Sequence, residues 1–255
     1  MISIKDRKLI FQLSKKKYRV QNKLFVAEGE KTIEELISNG WKYEMLFSTK
    51  KNLYPDARPI KLSQMKQITH FKTPSPVLGV FNLPQSKRIM SESTTIAIDG
   101  ISDPGNLGAI IRLCDWFGLS QILCSNETVD CYNPKAIQAS MGSIVRVRCH
   151  YLDNLGDSLK SLKKPIFGAS LNGKSIYKYR LVKNATYIFG SESHGISKDI
   201  LKNLNCELTI PHFRTGKLKP DSLNVANSLA IFLSCLLYTS PSPRDPSISR
   251  MPSSA

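Results

Sequence analysis

The stretch Ile96–Phe117 reads IAIDGISDPGNLGAIIRLCDWF. Thr95–Asp99 is a short apolar run, which predicts a buried strand. Pro104 and Gly105 mark a tight turn. Ile110, Leu113, Cys114 and Phe117 then recur at helical spacing, which predicts a helix from about Leu107 to Phe117, with Asn106 placed to cap it. Arg112 falls outside the apolar stripe, about 9 Å along the helix axis from Asn106. A strand, a tight turn and a helix in succession form the repeating unit of an α/β sheet.

Downstream, the same alternation continues. Gln121–Cys124 reads as a strand, Asn133–Ser140 as a short helix, and Ser143–Cys149 as a strand in which Val145 and Val147 alternate with Arg146 and Arg148. Pro165–Ala169 and Thr186–Phe189 are apolar strands, Ile200–Leu204 a helix, Cys206–Ile210 a strand, and Leu223–Leu233 an apolar helix. The expected architecture is a mainly parallel sheet with helices on both faces. Upstream, residues 1–90 read as a small α/β unit. It has a helix over Ser3–Tyr18, strands at Leu24–Ala27, Tyr43–Phe47 and Val77–Asn82, and helices over GEKTIEELISNG and Leu62–His70. The polar PQSKRIMSES, Pro84–Ser93, is the linker between the two units.

The charge is unevenly spread. The whole chain carries +16; residues 1–90, with 18 basic and 7 acidic side chains, account for +11. Lys5–Lys23 alone holds eight basic residues and one acid. That skew points to a polyanionic partner, since each phosphate neutralised adds salt-sensitive affinity; a solvated lysine-rich helix face accounts for the charge equally well. No apolar run approaches the ~18 residues that span a bilayer, and charges interrupt the first twenty residues, unlike a signal peptide. A cytoplasmic protein with no membrane association is expected. The six cysteines form no C-x-x-C pair, so they read as buried thiols rather than a zinc site. The end of the chain, rich in Pro and Ser, has no packable pattern. Tyr238–Ala255 is expected to be disordered and non-native and, with the segment after Ser234, is set aside.

Ligands in open α/β sheets bind beyond the carboxyl ends of the strands. Three loops there hold polar residues: DGISDPGNLGAIIR, IFGSESHGIS (Ile188–Ser197) and IPHFRTGKLKPDSLNVANSLAIFL (Ile210–Leu233). Taken singly, each also reads as ordinary structure. Asn106, Ser197 and either Ser222 or Asn224 are helix caps in that reading, and Arg112 is a solvated side chain. A Rossmann-type nucleotide site would need a G-x-G-x-x-G fingerprint, which is missing.

Together, and in this order, DPGNLGAIIR, GSESHGIS and IP…SLNVA resemble the SpoU (TrmH-like) family of RNA methyltransferases in the SPOUT superfamily. The resemblance covers about Thr94–Leu233. Residues 1–90, with FVAEGEK, resemble less specifically the small substrate-binding domain that precedes such catalytic domains. The domains expected are therefore 1–90, binding RNA; 93–237, the methyltransferase; and the tail 238–255. The resemblance implies transfer of a methyl group from S-adenosylmethionine to a ribose 2′-hydroxyl of ribosomal or transfer RNA, with no metal. It also implies a trefoil knot near the C-terminus and a homodimer whose partner contributes to each site. The methyl donor's contacts fall by position on Ala169, Ser170, Leu171, Gly190, Glu192, Ile210 and Leu223. The family's polar residues fall on Asn106, Arg112, Glu192, Ser222 and Asn224.

These residue types suit the chemistry. Methyl transfer from a sulfonium is an in-line displacement that needs an aligned hydroxyl and removal of its proton. A guanidinium stays protonated, so Arg112 suits the grip on a phosphate better than the role of base. Asn106 and Asn224 orient the hydroxyl and the loops, and Glu192 shapes the donor pocket or anchors Arg112. The basic stretch HFRTGKLKPD, longer than usual for the family, is either an RNA contact or a longer excursion. The alternative is a catalytically inactive RNA-binding protein of the same fold. Convergence of the five polar residues on one pocket separates the two.

Overall fold

The computed structural model describes residues 2–85, 88–90, 93–212 and 222–238. Most of the basic stretch after His212 and the tail from 239 onward lie outside them. The small domain is built from α1 (Ile4–Gln12), α2 (Lys16–Asn22), β1 (Leu24–Glu28), α3 (Glu30–Ser38), β2 (Tyr43–Ser48), β3 (Arg58–Pro59), α4 (Leu62–Met65) and β4 (Val77–Asn82). The larger domain follows with β5 (Thr94–Asp99), α5 (Pro104–Trp116), β6 (Gln121–Ser125), α6 (Pro134–Ser140), β7 (Arg148–Leu152), α7 (Leu155–Ser161), β8 (Ile166–Ser175), β9 (Ala185–Gly190), α8 (Lys198–Leu201), β10 (Cys206–Thr209) and α9 (Val225–Tyr238).

The large sheet has the order β10-β8-β9-β5-β6-β7, and every pairing in it is parallel. A strand buried on both faces alternates its side chains between two cores. Ile96 and Ile98 of β5 join Ile110, Ile111 and Cys114 of α5 and Leu229 and Phe232 of α9. Ala97, between them, faces Leu155 and Leu159 of α7 and Ile200 of α8. The expected layered α/β domain is therefore present, with helices on both faces.

Several boundaries moved, each for a local reason. The single helix expected over Ser3–Tyr18 is two helices broken at Leu13–Lys15. The alternation at Ser143–Cys149 is not a strand at its start. Ser143–Val145 is a turn of 3₁₀ helix, and the strand begins at Arg148, so the valine–arginine pattern arises from a turn that buries Val147 while Arg146 stays partly exposed. The final helix does not stop at Leu233 but continues to Tyr238; Leu236 is buried and the Tyr238 ring lies 6.0 Å from that of Phe117. None of the six cysteines is in a disulfide. The hydrogen bond between Cys131 and Cys149, with burial, pushes the Cys131 thiol up, which keeps it an uncharged core group.

The small domain is not a loosely tethered module. Its sheet, ordered β1-β4-β2-β3, is covered on one face by Ile10, Leu13, Met65 and Ile68. On the other face Phe25 and Phe81, with Ile33 and Leu36 of α3, join the same continuous core as the large domain. The Phe25 and Tyr132 rings lie 5.1 Å apart. Beside them Arg19, 2% exposed, donates to the backbone oxygens of Leu13 and Ser14 and pairs with Asp130 of the large domain at 2.6 Å. One of the eight cations of Lys5–Lys23 is thus structural. At the rim, Arg146 bridges Asp115 and Glu35 across the same boundary.

Removing one partner of a buried pair leaves a charge without compensation. Asp130→Asn is therefore expected to destabilise the protein by about 3–5 kcal/mol. Arg146→Ala, at a half-exposed site, should cost about 1 kcal/mol or less. Urea unfolding of the two variants against the wild type checks both.

Candidate active site

The carboxyl ends of β8, β9 and β10 and the start of α9 enclose a cavity of about 610 Å³. Its shape originates in β8. Glu207 of β10 lies opposite Gly168, but the next residue, Leu208, lies opposite Lys174. The intervening residues, Ala169–Gly173, leave the ladder with β10 and return to it. Ala169, Ser170 and Leu171 in this excursion line the cavity. The return needs glycine at 173, since a Cβ there would lie 2.4 Å from the Glu207 carbonyl carbon. The hydroxyl of Thr209 donates to the Leu171 carbonyl at 3.2 Å and holds the excursion in place.

The second wall is the loop after β9. Ser191 and Gly195 exchange backbone hydrogen bonds, and the His194 amide donates to the Ser191 hydroxyl, closing a small hairpin. The Ser197 amide donates to the Asp99 carboxylate, which ties the loop to the end of β5. Gly190, at the base, packs directly on this hairpin: a Cβ would lie 2.0 Å from the Gly195 carbonyl carbon. The third wall comes from Ile210, Ser222, Leu223 and, in α9, Val225 and Phe232.

All seven residues expected to contact the methyl donor, Ala169, Ser170, Leu171, Gly190, Glu192, Ile210 and Leu223, line this one cavity. Of the five polar residues, Glu192 and Ser222 also line it. Asn106 and Asn224 reach it indirectly. The Asn224 amide donates to Asn106 Oδ1 at 2.9 Å, and Asn106 Nδ2 donates to Glu192 Oε1. Three loops far apart in sequence are joined by this chain of two hydrogen bonds.

The cap expected of Asn106 is made by another residue. Asp103 is the N-cap, accepting from the Asn106 amide at 2.8 Å, with Pro104 opening the helix. That frees the Asn106 side chain for Glu192 and Asn224. Asn224 serves twice: its Oδ1 accepts from the Ala226 amide at the start of α9 while its amide group reaches Asn106. Arg112 stands apart. It is exposed, does not line the cavity, and has no hydrogen-bond or ion-pair partner among the described residues. Glu192 is bonded to Asn106, with no bond to Arg112.

Other wall residues carried no sequence signal. Glu207 and Thr209 are ordinary strand residues, and Phe189 and Phe232 pack edge to face at 5.2 Å as core aromatics would. Register and helix packing alone bring them to the cavity. Among the described residues the walls are mostly apolar, with backbone groups at the ends of three strands and two carboxylates, Glu192 and Glu207. Such a surface suits a molecule with a flat apolar part and a positively charged part, and its volume is that of a small-molecule site.

Comparison with known proteins agrees with this geometry. Residues 93–234 match the model of the SpoU rRNA Methylase family, and residues 6–79 match an MRM3-like substrate binding domain. A curated relative, the 23S rRNA (guanosine(2553)-2'-O)-methyltransferase RlmP of Bacillus subtilis (strain 168), is 27% identical over 240 residues, covering 90% of this chain and 94% of the relative. A solved structure from Porphyromonas gingivalis, described as of the TrmH family, is 33% identical, covers 94% of this chain and all of the other, and superposes with a TM-score of 0.81. The SpoU methyltransferase AviRb of Streptomyces viridochromogenes, solved with AdoMet, shares the fold at 18% identity, with a TM-score of 0.79 over 92% of this chain and 97% of the other.

Gly190→Ala forces a methyl group against the Gly195 backbone and is expected to destabilise the protein by about 1–3 kcal/mol. Gly156→Ala in α7, where a Cβ would meet its nearest atoms at 3.6 Å, is expected to leave stability unchanged or raise it by up to about 1 kcal/mol. Melting temperatures of the two variants distinguish a glycine that is sterically required from one that is not.

Proposed function

The chain belongs to the SpoU rRNA Methylase family, and from that premise we propose that it methylates a ribose 2′-hydroxyl of RNA, with S-adenosylmethionine as donor and ribosomal RNA as the substrate. The observation that carries this reading is the convergence of three separate loops on one cavity, with Asn106, Glu192 and Asn224 hydrogen-bonded at its edge. Four of the five polar residues, Asn106, Glu192, Ser222 and Asn224, meet there and Arg112 does not; an inactive protein of the same fold would have no need to keep the four together. The ribosomal substrate is supported by the relative from Bacillus subtilis and by the match of residues 6–79 to a substrate binding domain.

When bound, S-adenosylmethionine supplies a methyl group made electrophilic by the adjoining sulfonium. The residues suited to hold it are those of the β8 excursion, Gly190, Ile210 and Leu223. Leu171, Ile210 and Phe232 supply the apolar surface, and Glu192 a negative charge facing the cavity. Glu192 Oε1 is engaged by Asn106, so Oε2 is left to accept from a ligand. Asn106 Oδ1, already held by Asn224, has a second lone pair for the ribose hydroxyl. An amide fixed at both ends cannot turn, so it orients that hydroxyl at little entropic cost.

Arg112 fits a different place. It is exposed on the same side of α5 as Trp116, one turn on and 78% exposed. In the homodimer that the family resemblance implies, Arg112 would grip the RNA phosphate at the partner's cavity rather than at its own. The knot of the C-terminal segment and a cytoplasmic location belong to the same reading. Among the described residues no helix is long and apolar enough to cross a membrane.

Arg112→Ala is expected to lower methyl transfer by about 100-fold or more, with S-adenosylmethionine affinity within about twofold of wild type, since a group that acts on the phosphate contributes nothing to donor binding. Transfer of labelled methyl to ribosomal RNA and calorimetric titration with the donor measure the two; a fully active variant refutes the role. If Arg112 serves the partner's site, mixing Arg112→Ala with Glu192→Ala protomers restores part of the activity that each lacks alone. No recovery in a mixture shown to exchange subunits would place Arg112 at its own site.

A further inference from the structure

Helix α1 presents two unlike faces. Ile10, and Leu13 just beyond the helix, are fully buried against the small sheet. On the opposite side Ile4 is 83% exposed and Phe11 70% exposed, with exposed Lys8 between them. Residues at spacings of three, four and seven share one helix face. Exposed Lys15 and Lys17 follow directly. Among the described residues, no carboxylate pairs with Lys8, Lys15 or Lys17, and the Phe11 ring has no aromatic or cationic neighbour. The nearest acid in sequence, Asp6, is paired with Arg58. Phe11 is absent from the core beneath it, which Ile10, Leu13, Met65 and Ile68 form with the sheet.

The helix pair is also fixed relative to the catalytic cavity. Arg19 of α2 is locked to Asp130, and the Lys16 ammonium lies 5.3 Å from the centre of the Tyr151 ring of the large domain. The exposed face is thus carried at a set distance from the cavity.

We propose that this face is a stacking platform for unpaired RNA: Phe11 stacks on a base, while Lys8 and Lys15 hold the phosphates on either side. The proposal rests on the reading of the substrate as RNA and names the surface that engages it away from the methylated nucleotide. A bare aromatic ring among lysines is the combination that binds single-stranded or looped RNA. A base supplies the flat apolar surface and its backbone the charge, and neither alone would use both features. A continuous duplex, with its bases already stacked, would use only the lysines.

The test is binding of a labelled mixed-sequence single-stranded oligoribonucleotide, and of a duplex of the same length, followed by fluorescence anisotropy. Phe11→Ala is expected to weaken single-strand binding about 10-fold, within the range of one base–aromatic stack, with duplex binding and melting temperature unchanged. Phe11→Trp should bind like the wild type and show an added indole emission that RNA quenches. The double variant Lys8→Ala/Lys15→Ala should reduce the slope of log affinity against log salt by about 1.4, the contribution of two phosphates on a single strand. Wild-type affinity in Phe11→Ala, or an unquenched indole in Phe11→Trp, overturns the proposal. So does a Phe11→Ala variant that alters only self-association, which would mark the face as a contact between copies of the chain. Because these are binding measurements, a protein that transfers no methyl group yet quenches the indole would defeat the catalytic reading and leave this surface standing.

Discussion

The backbone of Gly173 lies against the backbone of Glu207 and Leu208, and the cavity depends on that contact. A parallel sheet with an unbroken ladder would end in a rim of short loops, open to water. Here β8 departs from β10 after Gly168 and rejoins it at Lys174, so a fold of chain stands beyond the sheet edge as a wall. Rejoining requires two main chains to approach more closely than any side chain permits. The Thr209 hydroxyl then ties the top of the fold to β10. The same economy recurs at Gly190, where the absence of a Cβ lets the Ser191–Gly195 hairpin pack onto the strand end.

Within this frame the polar residues act as a set. Asp103 takes over the capping of α5, and that division of labour leaves Asn106 free to face outward from the first turn. Asn224 caps α9 with its oxygen and holds Asn106 with its nitrogen, so the starts of α9 and α5 are joined by one amide. Glu192 completes the chain from the hairpin. Each of these bonds is at least partly exposed and weak alone. What they contribute is orientation: the Asn106 amide is gripped from both sides, and its direction is set before any ligand arrives.

The small domain shares in this rigidity. Its sheet is covered on one face by α1 and α4 and on the other by α3 together with the large domain, with Phe25 against Tyr132 and the buried Arg19–Asp130 pair at the seam. The basic segment Lys5–Lys23, whose charge suits a solvated helix face, also contributes to the core. Ile10, Leu13 and Arg19 point inward, and the remaining cations are displayed on a surface whose position is fixed.

The period of the apolar residues was enough to show an α/β protein in two units, because strands buried on both faces and helices with one apolar stripe leave distinct patterns in sequence. The three polar loops were legible for the same reason, each following directly on a recognisable strand, and their order pointed to the family. Local pattern misled where two local solutions compete. Asn106 and Asp103 are both good caps, and only the presence of Glu192 and Asn224 across the cavity decides between them. The valines and arginines near residue 146 alternate as a strand would, yet Arg146 is drawn to Asp115 and Glu35, which are distant in sequence. The excursion in β8, the inward turn of Arg19 and the separation of Arg112 from its own cavity have no sequence signature at all. They depend on which strands are neighbours and which surfaces meet, and those relations arise only when the whole chain is packed.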